Sequence, residues 1–229
     1  MYNDLLPLFP LKVVLFPGMA LPLHVFEERY KAMINHCIEA HRQFGVVLVR
    51  EGEEVGPGAV PERIGTLARI RAVERLDEGK INLITEGTER FRLLDYLEGD
   101  DHYLMGMIEP VVDEPGDPDS LQPLADDVKG LFLGYLRILL AVAGQRLPAC
   151  QLPEDAVALS FMIASVLQAG PEHRQDLLEM TDTAARLERE RGVLERETER
   201  LAAALKAAQD EPPRPFTAKL DGITFGSKN

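Results

Sequence analysis

Short apolar runs and apolar-polar alternation fill the first half of the chain and predict β-strands. The run at 44–50 is continuously apolar, as in a buried strand, and Asp77-Glu78-Gly79 is a hairpin signal between two alternating segments. The predicted strands are 13–16, 20–26, 44–50, 65–76, 80–87, 88–97 and 103–112. Between the second and third of these, apolar residues recur at helical spacing, which predicts one helix from Glu27 to about His41.

The second half of the chain shows helical periodicity only. After the acidic, proline-rich segment 114–120, the pattern predicts helices at 121–144, 155–168 and 181–209, the second of them apolar nearly all round and therefore buried. Strands followed by helices are typical of an α+β protein. We therefore expect a strand domain at 1–113, a helical domain at 114–209 and a flexible tail at 210–229.

The last predicted helix contains a heptad repeat. Leu187, Leu194 and Leu201 are seven residues apart, and a second seam carries Ala184, Arg191, Thr198 and Leu205. Two polar residues weaken this second seam. The pattern fits an antiparallel pairing inside the molecule, a solvated single helix, or a weak homodimer through 184–205.

Composition and charge narrow the class of protein. The 229 residues carry 25 basic and 38 acidic side chains, a net charge of −13, and neither half is basic. This balance argues against binding to nucleic acid or to an anionic membrane, since both need a basic surface. The start of the chain does not resemble a signal peptide, and the apolar run at 131–144 is short and contains Arg137, so we expect a cytoplasmic protein.

The chain lacks the sequence motifs of common catalytic sites. It has no G-x-x-x-x-G-K-[ST] phosphate loop and no G-x-S-x-G nucleophile motif, and its five histidines have no paired metal-ligand spacing. Cys37 and Cys150 lie in apolar surroundings that favour buried thiols. We therefore expect no enzymatic activity, no metal and no cofactor.

The opening run LPLFPLKVVLFPGMALPLHVFEERYKAMI closely resembles the start of the N-terminal substrate-binding domain of Lon proteases. The resemblance continues through FGVVLV, GTLARI, GKINLITEGTERFRLLDY and DAVALSFMIASVL, and covers about residues 5–205. It implies a PUA-like six-stranded pseudo-β-barrel with one packed helix, followed by an α-helical bundle that ends in a long helix. In full-length Lon an ATPase domain and a serine-lysine peptidase domain follow, and we expect a stand-alone member without them.

The resemblance implies a non-catalytic module that recognises unfolded or degron-bearing polypeptides. Such a module would act as an adaptor or chaperone-like factor in protein quality control, with a Lon-type protease as a candidate partner. Two alternatives stay open. The chain could be a structural oligomerisation module that uses the heptad helix, or a PUA-like domain that binds a small ligand or RNA.

The opening segment also supplies the candidate binding residues. Proline lacks the N–H donor of a strand ladder, so this segment cannot be fully paired, and exposed apolar surface or a free strand edge can bind a polypeptide. The candidates for polypeptide binding are Phe16, Pro17, Met19 and Pro22, with the alternative that Phe16 and Met19 belong to the core. Four residues of the family signature, Phe26, Glu27, Arg29 and Tyr30, are expected to tie the strands to the first helix.

Overall fold

Six strands form one sheet in the computed structural model, which describes residues 5–56, 58–114, 116–149 and 151–210. The strands are β1 Leu6–Leu11, β2 Ala20–Val25, β3 Phe44–Glu51, β4 Val60–Arg75, β5 Ile81–Glu98 and β6 Leu104–Pro110. Their order in the sheet is β2-β5-β4-β3-β1-β6, and β5 pairs with β6 as well. The strands therefore close into a ring with β2 attached outside it, which confirms the predicted α+β class and six-stranded sheet.

The long strand β5 makes this closure possible. Residues 81–86 pair with β2, residues 91–98 pair with β6, and β4 pairs along most of the strand. The sequence pattern predicted two strands, 80–87 and 88–97, and this is wrong. They are one strand with a register shift beside Gly87, where a bulge lets the strand bend without ending.

The predicted strand at 13–16 is also wrong. Residues 13–16 form a buried loop, and the strand at the front of the chain is β1, which contains Pro7 and Pro10. Pro7 pairs only with β6 and Pro10 pairs only with β3, whereas Leu8 between them pairs with both strands. Each proline therefore has a neighbouring strand on one side only. A strand position with one open side tolerates the missing N–H of proline.

The helices are α1 Glu28–Glu39, α2 Pro118–Val142, α3 Ala156–Val166, α4 Pro171–Glu179 and α5 Thr183–Asp210. The segment between Pro110 and Pro118 separates the strands from the four later helices, and the predicted division after residue 113 falls within it. Helix α4 was not predicted. The predicted tail lies outside the described residues, except for residue 210 at the end of α5.

Two main hydrophobic cores hold the structure together. One lies between the strands and α1 and includes Phe9, Met33 and Phe44. The other lies among the four helices α2, α3, α4 and α5 and includes Val14 and Phe16 from the loop after β1. The opening segment of the chain therefore contributes to both cores.

Helix α5 packs inside the molecule through its heptad leucines. Leu187 and Leu194 are fully buried in the helical core. The helix runs in the same direction as α2, since Arg191 lies beside Asp127 and, further along both helices, Glu197 lies near Tyr135. The heptad leucines of α5 therefore take part in an internal pairing with α2, and this pairing is parallel rather than antiparallel.

Within the described ranges, we find no helix with both the length and the apolar character needed to cross a membrane.

Candidate functional site

An apolar groove of about 790 Å³ opens between the strands and the helices. We call it the apolar groove. Its strand side includes Pro17, Met19 and Val112, and its helix side includes Leu136, Phe161 and Met162. Ligand sites typically have volumes of about 300 to 1,000 Å³ and are mostly apolar. The groove is therefore large enough to hold several side chains of a bound molecule.

The strand side of the groove begins with a tight turn at Pro17-Gly18. Gly18 has a φ of 77°, which glycine adopts without strain, and its amide donates to the carbonyl of Gly87 at 2.9 Å. The amide of Gly87 donates to the carbonyl of Met19, also at 2.9 Å. The turn is thus fixed on the bulge of β5, and Met19 is held at the groove.

Two buried arginines hold Phe161 in the groove. The guanidinium carbons of Arg90 and Arg186 lie 5.0 and 4.1 Å from the centre of the Phe161 ring. Both guanidinium groups also pair with Asp113, Arg90 Nη2 at 3.0 Å and Arg186 Nη2 at 2.9 Å. These four residues, which we call the arginine cluster, join β5, the segment after β6, α3 and α5.

Backbone carbonyls and a hydroxyl accept further hydrogen bonds from the cluster, whereas Arg90 Nη2 lies within ion-pair distance of Asp113 without a well-aligned hydrogen bond. Arg90 Nη1 donates to the carbonyls of Leu178 at 2.5 Å and Met180 at 2.7 Å. Arg186 donates to the Met180 carbonyl at 2.6 Å and to Ser160 Oγ at 2.9 Å. Burial lowers the pKa of the Arg90 guanidinium, and the carboxylate of Asp113 acts in the opposite direction. The cluster is therefore a fixed structural joint in which two buried guanidinium groups share one carboxylate.

Glu190 is a buried acid one helical turn after Arg186. Its side chain is fully buried, and neither carboxyl oxygen has a hydrogen-bond partner among the described residues. Burial raises the pKa of Glu190 well above its usual value of 4.5, with Arg186 opposing the shift. Glu190 is therefore held as the neutral acid over a wider pH range than an exposed glutamate.

The structure separates the four candidate binding residues. Pro17 and Met19 line the apolar groove, whereas Phe16 is fully buried, with Phe161 6.3 Å from its ring and Arg174 5.3 Å above it. Pro22 is exposed on β2 and lies away from the groove. Only two of the four therefore reach the same surface.

The family-signature residues form a second network around a loop. Arg29 donates to Glu27 at 3.1 Å and to the carbonyl of Gly56 at 2.6 Å, and its guanidinium lies 4.4 Å from the Tyr30 ring. Tyr30 stacks on Phe9 of β1, and burial raises its pKa to about 12. This network connects β1, α1 and the loop before β4.

Phe26 lies beside this network and is 49% exposed. Together with Val55 it lines a smaller cavity of about 360 Å³, which we call the Phe26 pocket.

Two of the exposed apolar residues of the groove, Val112 and Met162, were not among the predicted binding residues. Val112 is 76% exposed and Met162 is 36% exposed. A signal for Met162 was present, because a helix that is apolar nearly all round has more apolar side chains than its neighbours can cover. Val112 had no such signal, since the pattern placed it at the end of a strand.

The described residues contain no group of three or more histidine, cysteine or acidic side chains placed to hold a metal ion. Cys37 is buried, and burial raises the pKa of its thiol to about 11. This thiol is therefore not activated as a nucleophile at neutral pH.

Residues 5–196 match the family model of the ATP-dependent protease La (LON) substrate-binding domain. A Lon N-terminal domain protein from Xanthomonas campestris is 30% identical, with a TM-score of 0.62, covering 81% of this chain and 95% of that structure. The N-terminal domain of a Mycobacterium avium complex Lon protease is 20% identical and has the same fold, with a TM-score of 0.62 over 85% of this chain and 98% of that structure.

Among curated proteins, Lon protease 2 of Herpetosiphon aurantiacus is 30% identical over 84% of this chain and 24% of its own length. The Lon protease of Anaeromyxobacter dehalogenans is 28% identical over 88% of this chain and 24% of its own length. The chain therefore spans about a quarter of the curated relatives that it matches.

Proposed function

Because the chain belongs to the LON substrate-binding domain family, we propose that it is a non-catalytic module that recognises polypeptides and holds an apolar client segment in the apolar groove. The groove combines surfaces from β5, the segment after β6, α2 and α3, and the arginine cluster fixes β5, the segment after β6 and α3 relative to one another. A preformed site avoids part of the ordering cost of binding.

One observation carries this proposal. Val112 and Met162 are exposed on opposite sides of the groove, although both are apolar. Full burial of such a side chain contributes about 1.5 to 3 kcal/mol, and micromolar binding requires about 8 kcal/mol. Association also costs at least about 4 kcal/mol in lost translational and rotational freedom, so several apolar client side chains must be buried together to give weak, reversible binding.

The expected clients are unfolded or degron-bearing polypeptides, and the expected role is that of an adaptor or chaperone-like factor in cytoplasmic protein quality control. A Lon-type protease is the candidate partner that would receive these clients. The groove itself requires only that a client expose an apolar segment.

A matched pair of variants tests the proposal. We expect Val112→Asp to weaken binding of a fluorescent, apolar, unstructured peptide at least about tenfold, since a charge would then lie in the apolar contact. Val55→Asp is the control, because Val55 is 57% exposed and lies outside the groove. Fluorescence anisotropy measures Kd, and circular dichroism checks that both variants fold.

Equal affinity of Val112→Asp and the wild type would contradict the proposal. Loss of binding in Val55→Asp alone would move the client site to the Phe26 pocket.

A further inference from the structure

The exposed charges at the apolar groove are all acidic among the described residues that line it. Glu89 of β5 is exposed on the strand side, and Asp155, just before α3, is exposed on the helix side. The other charged lining residues are Arg90 and Asp113, which pair with each other in the arginine cluster. Arg90 and Arg186 exceed Asp113 by one positive charge, but both guanidinium groups are buried and cannot contact a bound segment directly, whereas the two acids are exposed.

Neighbouring basic side chains do not neutralise these two acids. Lys129 is near the start of α3, but its ammonium pairs with Glu154 at 2.9 Å. Asp155 Oδ1 accepts a hydrogen bond from the amide of Ala158 at 2.8 Å as the N-cap of α3, and its carboxylate makes no ion pair within the part of the chain that the structure describes. Glu89 has no ion pair within the described ranges. The groove therefore has an acidic group on each wall.

We propose that the apolar groove selects apolar segments flanked by lysine or arginine and disfavours segments flanked by aspartate or glutamate. Glu89 and Asp155 are the specificity-determining residues. This inference rests on the proposed function, because it names the class of polypeptide that the groove accepts. Charge complementarity across a contact contributes more to specificity than to affinity. The apolar contact therefore supplies most of the affinity, and the two acids determine which segments bind more tightly.

The expected size of the effect follows from the exposure of both acids. Exposed ion pairs are individually weak, so two favourable pairs strengthen binding about two- to tenfold, and acidic flanks weaken it by a similar factor. Salt screens such contacts, since the Debye length falls from about 30 Å at 0.01 M to about 3 Å at 1 M ionic strength. The selection should therefore be strong at low salt and nearly absent at high salt.

The test uses the full chain and three fluorescent peptides with one apolar centre and lysine, serine or glutamate flanks. At low salt we expect affinity to fall in that order, with at least about a fourfold difference between the extremes. The variant Glu89→Gln/Asp155→Asn should lose most of the difference in affinity between the lysine and the glutamate peptides. Asparagine retains the N-cap of α3, so this variant should fold normally.

A second double variant controls for the change in net charge. Glu39→Gln/Asp100→Asn removes two exposed acids that do not line the groove, and it should discriminate as the wild type does. Loss of discrimination in this control would overturn the assignment to Glu89 and Asp155. Equal binding of all three peptides to the wild type would overturn the selection but leave the proposed function standing, whereas failure to bind even the serine peptide would contradict both.

Discussion

At the residue scale, buried charges lie close together where α5 meets the rest of the structure. Arg186 has a carboxylate, a hydroxyl and a carbonyl as partners, whereas Glu190, one turn later on the same helix, has none among the described residues. A buried polar group without a hydrogen bond lowers stability, and an ionised one lowers it further. Glu190 is therefore the position at which we expect stability to depend on pH.

Glu190→Gln should remove this dependence. The unfolded carboxyl loses its proton near pH 4.5, whereas the folded one keeps it to higher pH, so folding takes up a proton and the contribution of Glu190 to stability falls as pH rises above 4.5. The gain in stability of the variant over the wild type should grow by up to about 1.4 kcal/mol per pH unit until Glu190 ionises in the folded state. Urea unfolding over a pH series measures it.

The exposed Glu195 on the same helix provides the control. Glu195→Gln should follow the wild-type pH curve. If the free energy of unfolding of Glu190→Gln also followed the same pH dependence as that of the wild type, Glu190 would not be held neutral in the folded protein.

At the element scale, the strand and helix types were predictable where a segment has one clear period, as in β4 and α1, or a continuous apolar run, as in β3. The prediction was wrong at β1 because Pro7 and Pro10 argue against a strand when the positions of its neighbours are unknown. Helix α4 was missed because it is short and largely polar, and tertiary contacts stabilise it. Its Gln175 donates to the carbonyl of Ile64 on β4 at 3.0 Å, and Arg174 lies over Phe16.

The candidate site was only partly predictable for a similar reason. Pro17 and Met19 were identified, but the groove also needs Val112, Leu136 and Met162 from later segments of the chain. No local pattern shows that these segments meet. Phe16 was a reasonable candidate from its surroundings in sequence, yet the helical core covers it completely.

Gly87 is the element-scale position most sensitive to side-chain size. A Cβ atom there would overlap the carbonyl oxygen of Phe16 and lie 3.0 Å from its carbonyl carbon. We expect Gly87→Ala to lower the free energy of unfolding by about 1 to 3 kcal/mol or more, because the turn at Pro17-Gly18 would have to move off β5. Urea unfolding measures the change.

Gly130→Ala is the matched control for Gly87→Ala. Gly130 is exposed within α2, and a Cβ atom there meets nothing within 4 Å. Alanine should therefore raise stability by up to about 1 kcal/mol. Equal effects of the two substitutions would show that the contact between β5 and the turn is not tight.

At the scale of the whole molecule, the strand ring and the helices are joined where the apolar groove lies. The arginine cluster and α4 connect the two parts, so the groove walls keep a fixed separation. The predicted homodimer through 184–205 stays a prediction. Leu187 and Leu194 are already buried inside the chain, which leaves the half-buried Leu201 and Leu205 for such a contact.

Photocross-linking tests the central claim most directly. A peptide with a benzophenone in its apolar centre would be irradiated with the full chain, and mass spectrometry would locate the adducts. We predict adducts at 110–113 and 157–166, with Met162 labelled well above Met107, which is 53% exposed and lies outside the groove. Adducts at Phe26 or Val55, or equal labelling of the two methionines, would contradict binding in the apolar groove.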